Sequence, residues 1–257
     1  MMRARHFLSV VLIALCCGCQ DHRITKIPMD AIYDITSGVA AEHILLVMLP
    51  GVRDSPQDMV ERGLVRALRE RALPVDVVVA DAHLDYYLEH SFLERLRHDI
   101  IAPAQAKGYA RIWLMGISLG GMGSLAYARA HPADIEGMIL LAPFLGTRGT
   151  IDEVVRAGGL SRWQPEGIKV ADDEHALLAW LKNYRSSDPE APKIFLGYGT
   201  DDRYAPASLL LAERLPQQQV MAIPGGHDWP TWAVLWADLL DRDPFALTAK
   251  SPKKNQF

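Results

Sequence analysis

Dense apolar runs alternate with amphipathic stretches along most of this chain. Residues 43–49, 73–80, 112–115, 137–142, 193–197 and 219–223 are rich in Val, Ile, Leu, Met and Phe, and each is four to eight residues long. Runs of this length predict strands buried on both faces, as in a mainly parallel sheet. Between them lie segments with helical spacing. Val60, Leu64 and Leu68 recur every four residues behind Ser55-Pro56, a capping serine followed by a proline that suits the first helical position. Residues 92–107 predict a helix interrupted near Pro103. Helices are also predicted from 122, over 173–184, 206–215 and 230–240. An additional edge strand is predicted at 31–35. Strand and helix in alternation predict an α/β domain with helices on both faces of the sheet. The rhythm fails only between Phe144 and Pro192. About fifty residues are more than a crossover needs, so 144–192 reads as a cap-like insertion covering a site.

The N-terminus has its own pattern. Arg3 and Arg5 precede an apolar run over 7–17, followed by Gly18-Cys19. A basic start, a short apolar core and a small residue at the cut form a secretory signal, too short for a comfortable membrane span. Gly18-Cys19 resembles the end of a bacterial lipobox, with Cys16 where that motif usually has Leu. The resemblance implies lipidation of Cys19, and Gln20 implies sorting to the outer membrane, facing the periplasm. The expected organisation is a signal peptide at 1–18, a tether at 19–37, the α/β domain at 38–245 and a polar tail at 246–257.

Composition excludes several classes. The 257 residues are 49% hydrophobic and 23% charged, as in an ordinary globular domain. Net charge is -4 and no basic run precedes Lys253-Lys254, so nucleic acid is not an expected partner. The three cysteines lie at 16, 17 and 19, leaving the mature body without an internal disulfide. His83, His90 and His98 lack metal-ligand spacing, and no dinucleotide fingerprint or phosphate loop follows a strand. No metal or cofactor is expected.

The candidate chemistry centres on Gly116-Ile117-Ser118-Leu119-Gly120. A serine flanked by glycines two positions away, where a strand turns into a helix, has the nucleophile-elbow pattern. The turn is so sharp that side chains at 116 and 120 would collide with neighbouring backbone, and the helix N-terminus behind Ser118 favours a developing anion. A serine hydroxyl needs a base, and the base needs an orienting carboxylate. In the chain order of this elbow, serine is followed by acid and then histidine. His227, in Gly225-Gly226-His227-Asp228-Trp229, falls after the last strand and before the last helix. His131 and His175 precede the acid or lie within helices. The acid is Asp201 or Asp202, with Asp228 read as the cap of the closing helix. Oxyanion donors are expected at the amides of Leu119 and of Val52, where Gly51 permits close approach.

Residues 43–240 resemble the α/β-hydrolase superfamily. The resemblance is carried by Leu49-Pro50-Gly51, Gly116-x-Ser118-x-Gly120-Gly121, Gly199-Thr200-x-Asp202 and Gly226-His227. The pattern Gly-Thr-x-Asp-x-x-x-Pro favours Asp202 over Asp201. The ending Gly-Gly-His-Asp-Trp-Pro-x-Trp is similar to carboxylesterase-type serine esterases. Leu49 and Ile117 replace the histidines common at those two positions. The resemblance implies a serine hydrolase (EC 3.1.1) that cleaves a small-molecule ester or related acyl bond through an acyl-enzyme. An acyltransferase with the same triad and a non-catalytic ligand-binding lipoprotein are the alternatives. Tyr204 and Phe144-Leu145 are expected to line the pocket. Among the tryptophans, Trp163, Trp180 and Trp229 are also candidates, while Trp232 and Trp236, four apart, are expected in the core.

Overall fold

The computed structural model describes residues 22–36, 38, 43–165 and 173–245. The expected signal peptide, Cys19 and the 246–257 tail lie outside the described residues. Seven strands form one sheet: β1 (Ala31–Asp34), β2 (Ile44–Leu49), β3 (Val75–Ala80), β4 (Arg111–Ile117), β5 (Gly137–Leu141), β6 (Lys193–Gly199) and β7 (Val220–Ile223). Their spatial order is β1-β3-β2-β4-β5-β6-β7, with β1 antiparallel to β3 and every other pair parallel. Every strand predicted from an apolar run is present, and β1 occupies the predicted edge position.

Among the described residues, ten α-helices flank the sheet. They are α1 (Pro56–Glu61), α2 (Leu64–Glu70), α3 (Leu84–Leu88), α4 (Phe92–Arg95), α5 (Ala102–Ala106), α6 (Leu119–Ala130), α7 (Arg148–Arg156), α8 (Asp173–Asn183), α9 (Ala205–Ala212) and α10 (Trp229–Asp241). Because side chains alternate along a strand, the sheet feeds two separate cores. Ile44, Leu46 and Met48 of β2 pack with Trp113 and Met115 of β4 under α1, α2 and α10. Leu45, Val47 and Leu49 face the other way, with Leu114 and Leu140, beneath α3 to α9.

The helical regions depart from expectation in three places besides the short, unpredicted α3. The stretch containing Val60, Leu64 and Leu68 is two helices, because Gly63 takes a left-handed φ of +86° between α1 and α2. The amphipathic spacing continues across the break, since both pieces lie on the same core. The 92–107 helix contains a π-helical turn, Leu96–Ile101, directly before α5. Pro103 has no N–H to offer the carbonyl four residues back, and a locally widened helix accommodates that loss. The insertion contains α7 as well as the expected α8. Ile151 and Val154 of α7 and Leu177, Leu178 and Leu181 of α8 are buried in the same core as the sheet face, with α7 against α9 and α8 against α6. The described helices of the insertion therefore complete that face of the domain.

The polar segment expected to act as a tether is fastened to the body over its described part. The Arg23 amide donates to Asp85 Oδ2 at 2.8 Å, Lys26 N to the Tyr86 hydroxyl at 2.9 Å, and Met29 N to Asp99 Oδ2 at 2.8 Å. Beside the end of β1, Asp76 of β3 accepts from Tyr109 Oη (2.6 Å), from Thr36 N (2.7 Å) and Thr36 Oγ1 (2.7 Å), and pairs with His43 Nδ1 (3.0 Å). Burial raises the pKa of that carboxyl, but these bonds outweigh it and hold it below the ordinary carboxylate range.

Candidate active site

The C-terminal ends of the parallel strands converge on Ser118. This residue has φ +51° and ψ -109°, the strained turn expected at a strand-to-helix switch. Two glycines make the turn sterically possible. A Cβ on Gly116 would lie 2.2 Å from the Gly120 carbonyl oxygen, and one on Gly120 would lie 2.1 Å from that of Leu49. Backbone bonds fix the elbow from both sides. Ser118 N donates to Leu141 O at 3.0 Å, and Phe144 N donates to Ser118 O at 2.9 Å. Ser118 is buried, with 8% of its surface exposed.

The loop after β7 brings His227 to the serine. His227 Nε2 is 3.0 Å from Ser118 Oγ, and Nδ1 is 2.6 Å from Asp202 Oδ2. A carboxylate can only accept, so Nδ1 carries the ring proton and Nε2 of the neutral imidazole is free to accept from the serine hydroxyl. Asp202 follows β6 and is buried, and its second oxygen accepts from Tyr204 N at 2.8 Å. Both carboxylate oxygens are therefore engaged, and the ring-facing one is held in place. Asp201 points elsewhere. It is exposed, and its carboxylate accepts from Gly225 N at 3.1 Å while its own amide donates to Gly225 O at 3.0 Å. This carboxylate clamps the histidine loop to the acid turn. Asp228 caps α10 by accepting from Thr231 N (3.0 Å) and Thr231 Oγ1 (2.8 Å), and these two bonds lower its pKa.

Leu119 follows the serine directly, and register brings the turn that carries Val52 to the same end of the sheet. Leu49 of β2 pairs with Gly116 of β4, so the turn at Gly51-Val52 emerges next to the elbow. Neither the Val52 nor the Leu119 amide has an acceptor among the described residues. Backbone N–H groups without an acceptor close to a nucleophile candidate are what an anionic tetrahedral oxygen requires.

Aromatic rings enclose the imidazole. Tyr204 lies 4.9 Å from it and Trp232 5.0 Å, both edge-on, and Phe144 meets Tyr204 at 6.0 Å. Trp232 thus combines a core position with contact to His227. Trp163 and Trp236 are buried in the two cores, each with its indole N–H bonded, to Glu153 Oε1 (2.7 Å) and to Leu64 O (3.0 Å). The sequence groups Trp229 with the pocket candidates. Its indole instead donates to Asp54 Oδ1 at 3.1 Å, in the turn after β2. Burial pushes the Asp54 carboxyl upward, and the bond from Trp229 partly opposes this. Nothing in the sequence marked Asp54, which lies 175 residues from its partner. Among the described residues no group of His, Cys, Asp and Glu side chains is arranged to hold a metal.

The serine aminopeptidase family (S33) matches residues 93–208, a span that includes Ser118 and Asp202 but stops short of His227. No curated protein matches the chain in sequence. Among solved structures, the chain is similar to Est1E from Butyrivibrio proteoclasticus, with 19% identity, a TM-score of 0.57, and 86% of this chain and 94% of that one covered. It is similar to S-formylglutathione hydrolase from Staphylococcus aureus at 13% identity and a TM-score of 0.56, covering 85% of this chain and 98% of that one. A ferulic acid esterase aligns with 14% identity and a TM-score of 0.52, over 78% of this chain and 84% of that one. A mostly parallel seven-stranded sheet, a serine at the turn after its fourth strand and three such neighbours lead to one conclusion: the chain has the α/β-hydrolase fold.

Proposed function

We propose that this protein is a serine hydrolase that cleaves a carboxylic ester or related acyl bond. The observation that carries the reading is the unbroken chain from Asp202 Oδ2 to His227 Nδ1 (2.6 Å) and from His227 Nε2 to Ser118 Oγ (3.0 Å). Ser118 Oγ attacks the carbonyl carbon while His227 Nε2 takes its proton. The oxygen that becomes anionic accepts from the Val52 and Leu119 amides, next to the positive end of α6. His227 then returns the proton to the leaving alcohol, and the acyl group stays on Ser118 as an ester. Water, deprotonated by the same imidazole, attacks that ester and releases the acid. Asp202 stays ionised, holding the ring proton on Nδ1 and stabilising the imidazolium formed in each half. Two structural neighbours, a ferulic acid esterase and an S-formylglutathione hydrolase, support an acyl substrate. A fluorophosphonate probe tests the assignment. The expected adduct lies on the peptide containing Ser118, and absence of labelling, or labelling at another residue, overturns it.

The second part of the proposal concerns location. The basic start, apolar run and Gly18-Cys19 support export and lipidation at Cys19, tethering the enzyme to the bacterial envelope. No helix among the described residues is long and apolar enough to cross a membrane. Cys19→Ser is expected to move the protein from the membrane fraction to the soluble one and to remove the lipid mass. A variant that stays membrane-bound at unchanged mass rules out this anchor.

A further inference from the structure

The oxyanion turn and the histidine loop come from opposite ends of the chain, and one side-chain pair joins them. Asp54 N donates to Gly51 O at 3.1 Å, closing the turn that presents the Val52 amide. The Asp54 carboxyl lies flush against the backbone of that turn: a Cβ on Gly51 would sit 2.4 Å from its Oδ2. The other oxygen, Oδ1, accepts from Trp229 Nε1 at 3.1 Å. Trp229 is two residues beyond His227 and opens α10. Its ring meets Trp232 edge-on at 5.4 Å, and Trp232 meets the His227 imidazole at 5.0 Å. The Arg62 guanidinium covers the indole at 5.5 Å, and the capping box between Ser55 and Asp58 fixes the backbone immediately after Asp54. Asp54 is thus held by its own helix start, touches the oxyanion turn and grips the histidine loop.

We propose that Asp54 is a positioning residue which, through Trp229, keeps the oxyanion amide of Val52 and the imidazole of His227 at a fixed separation. Both groups act on the same tetrahedral centre, the amide on its oxygen and the imidazole on the proton in transit. A small drift of one loop against the other weakens the transition state more than the bound ester, because only the transition state uses both groups at full strength. The kinetic part of this inference rests on the serine-hydrolase reading, whereas the physical link between the loops does not.

Steady-state hydrolysis of a p-nitrophenyl ester and hydrogen–deuterium exchange test the two parts separately. Asp54→Ala is expected to lower kcat by about 10- to 100-fold with KM changed less than about twofold, the signature of lost alignment. Asp54→Asn keeps an oxygen for the indole N–H and is expected to stay within about threefold of wild type. Trp229→Phe removes the donor and keeps a ring, so it should reproduce the alanine loss. The double variant Asp54→Ala/Trp229→Phe should be no worse than the weaker single variant, because the two side chains act through one bond. In either single variant, amides of both 51–54 and 225–229 should exchange faster. Wild-type kcat in Asp54→Ala, losses that multiply, or faster exchange confined to one loop overturns the proposal. If Asp54→Ala does not fold, Trp229→Phe carries both measurements. If the wild-type protein neither hydrolyses esters nor takes the fluorophosphonate label, the hydrolase reading fails, and the exchange result alone decides whether the loops are coupled.

Discussion

Ser118→Ala is expected to lower kcat/KM for an ester substrate by about 10⁶-fold, the scale seen when a triad serine is removed and the other groups cannot act without it. The structure gives the reason. Ser118 Oγ is the atom 3.0 Å from His227 Nε2, and removing it leaves the base with no proton to take on the acylation path. The residual rate reflects the Val52 and Leu119 amides and bound water. The variant should fold as the wild type does, since alanine needs no more room and tolerates φ +51° as well as serine. Equal melting temperatures beside a lost rate establish a chemical role. A rate within tenfold of wild type assigns the nucleophile elsewhere.

Asp202→Asn is expected to lower kcat by about 10⁴-fold with little change in KM or stability. Asparagine has the same shape and can still accept from Tyr204 N. Its amide nitrogen, however, cannot accept the proton that His227 Nδ1 now donates to Oδ2 across 2.6 Å. The imidazole is then favoured with its proton on Nε2, facing Ser118 Oγ, where it cannot act as the base. Asp201→Asn is the matched control. Its oxygen still accepts from Gly225 N, so its kcat should remain within about tenfold, because only loop order is disturbed. A larger loss from Asp201→Asn than from Asp202→Asn reverses the assignment of the orienting acid.

The elbow was legible because its constraint is local. A backbone passing within about 2 Å of where a Cβ would stand excludes every residue except glycine at 116 and 120, and the exclusion is written into the sequence directly. The parallel strands were legible for a similar reason. A strand covered on both faces has no polar positions, and β2, β4, β5 and β6 are nearly continuous apolar runs. The chain order of serine, acid and histidine then placed His227 in the one loop between β7 and α10.

Other features depended on contacts that no sequence interval records. Gly63 divides α1 from α2 although both halves share one apolar spacing, since the break is made by a backbone angle and not by a change of face. α7 was missed because Gly149 and several polar residues obscure a stripe whose buried members are few, Thr150, Ile151 and Val154. The described part of the N-terminal segment is polar like a free linker, yet its partners Asp85, Tyr86 and Asp99 lie 60 to 70 residues away.

The sequence by itself determined the α/β alternation, the position of the elbow and the residues able to form a relay, because steric exclusion and burial act on neighbours along the chain. The family pattern favoured Asp202 over its chemically identical neighbour Asp201, but only the tertiary structure supplies the physical reason that Asp202 meets His227. The backbone of the turn after β6 sends Asp202 inward and Asp201 outward, and side-chain direction is a property of that folded path. The same holds for Asp54 and Trp229, which become partners only when the sheet brings the loop after β2 against the start of α10.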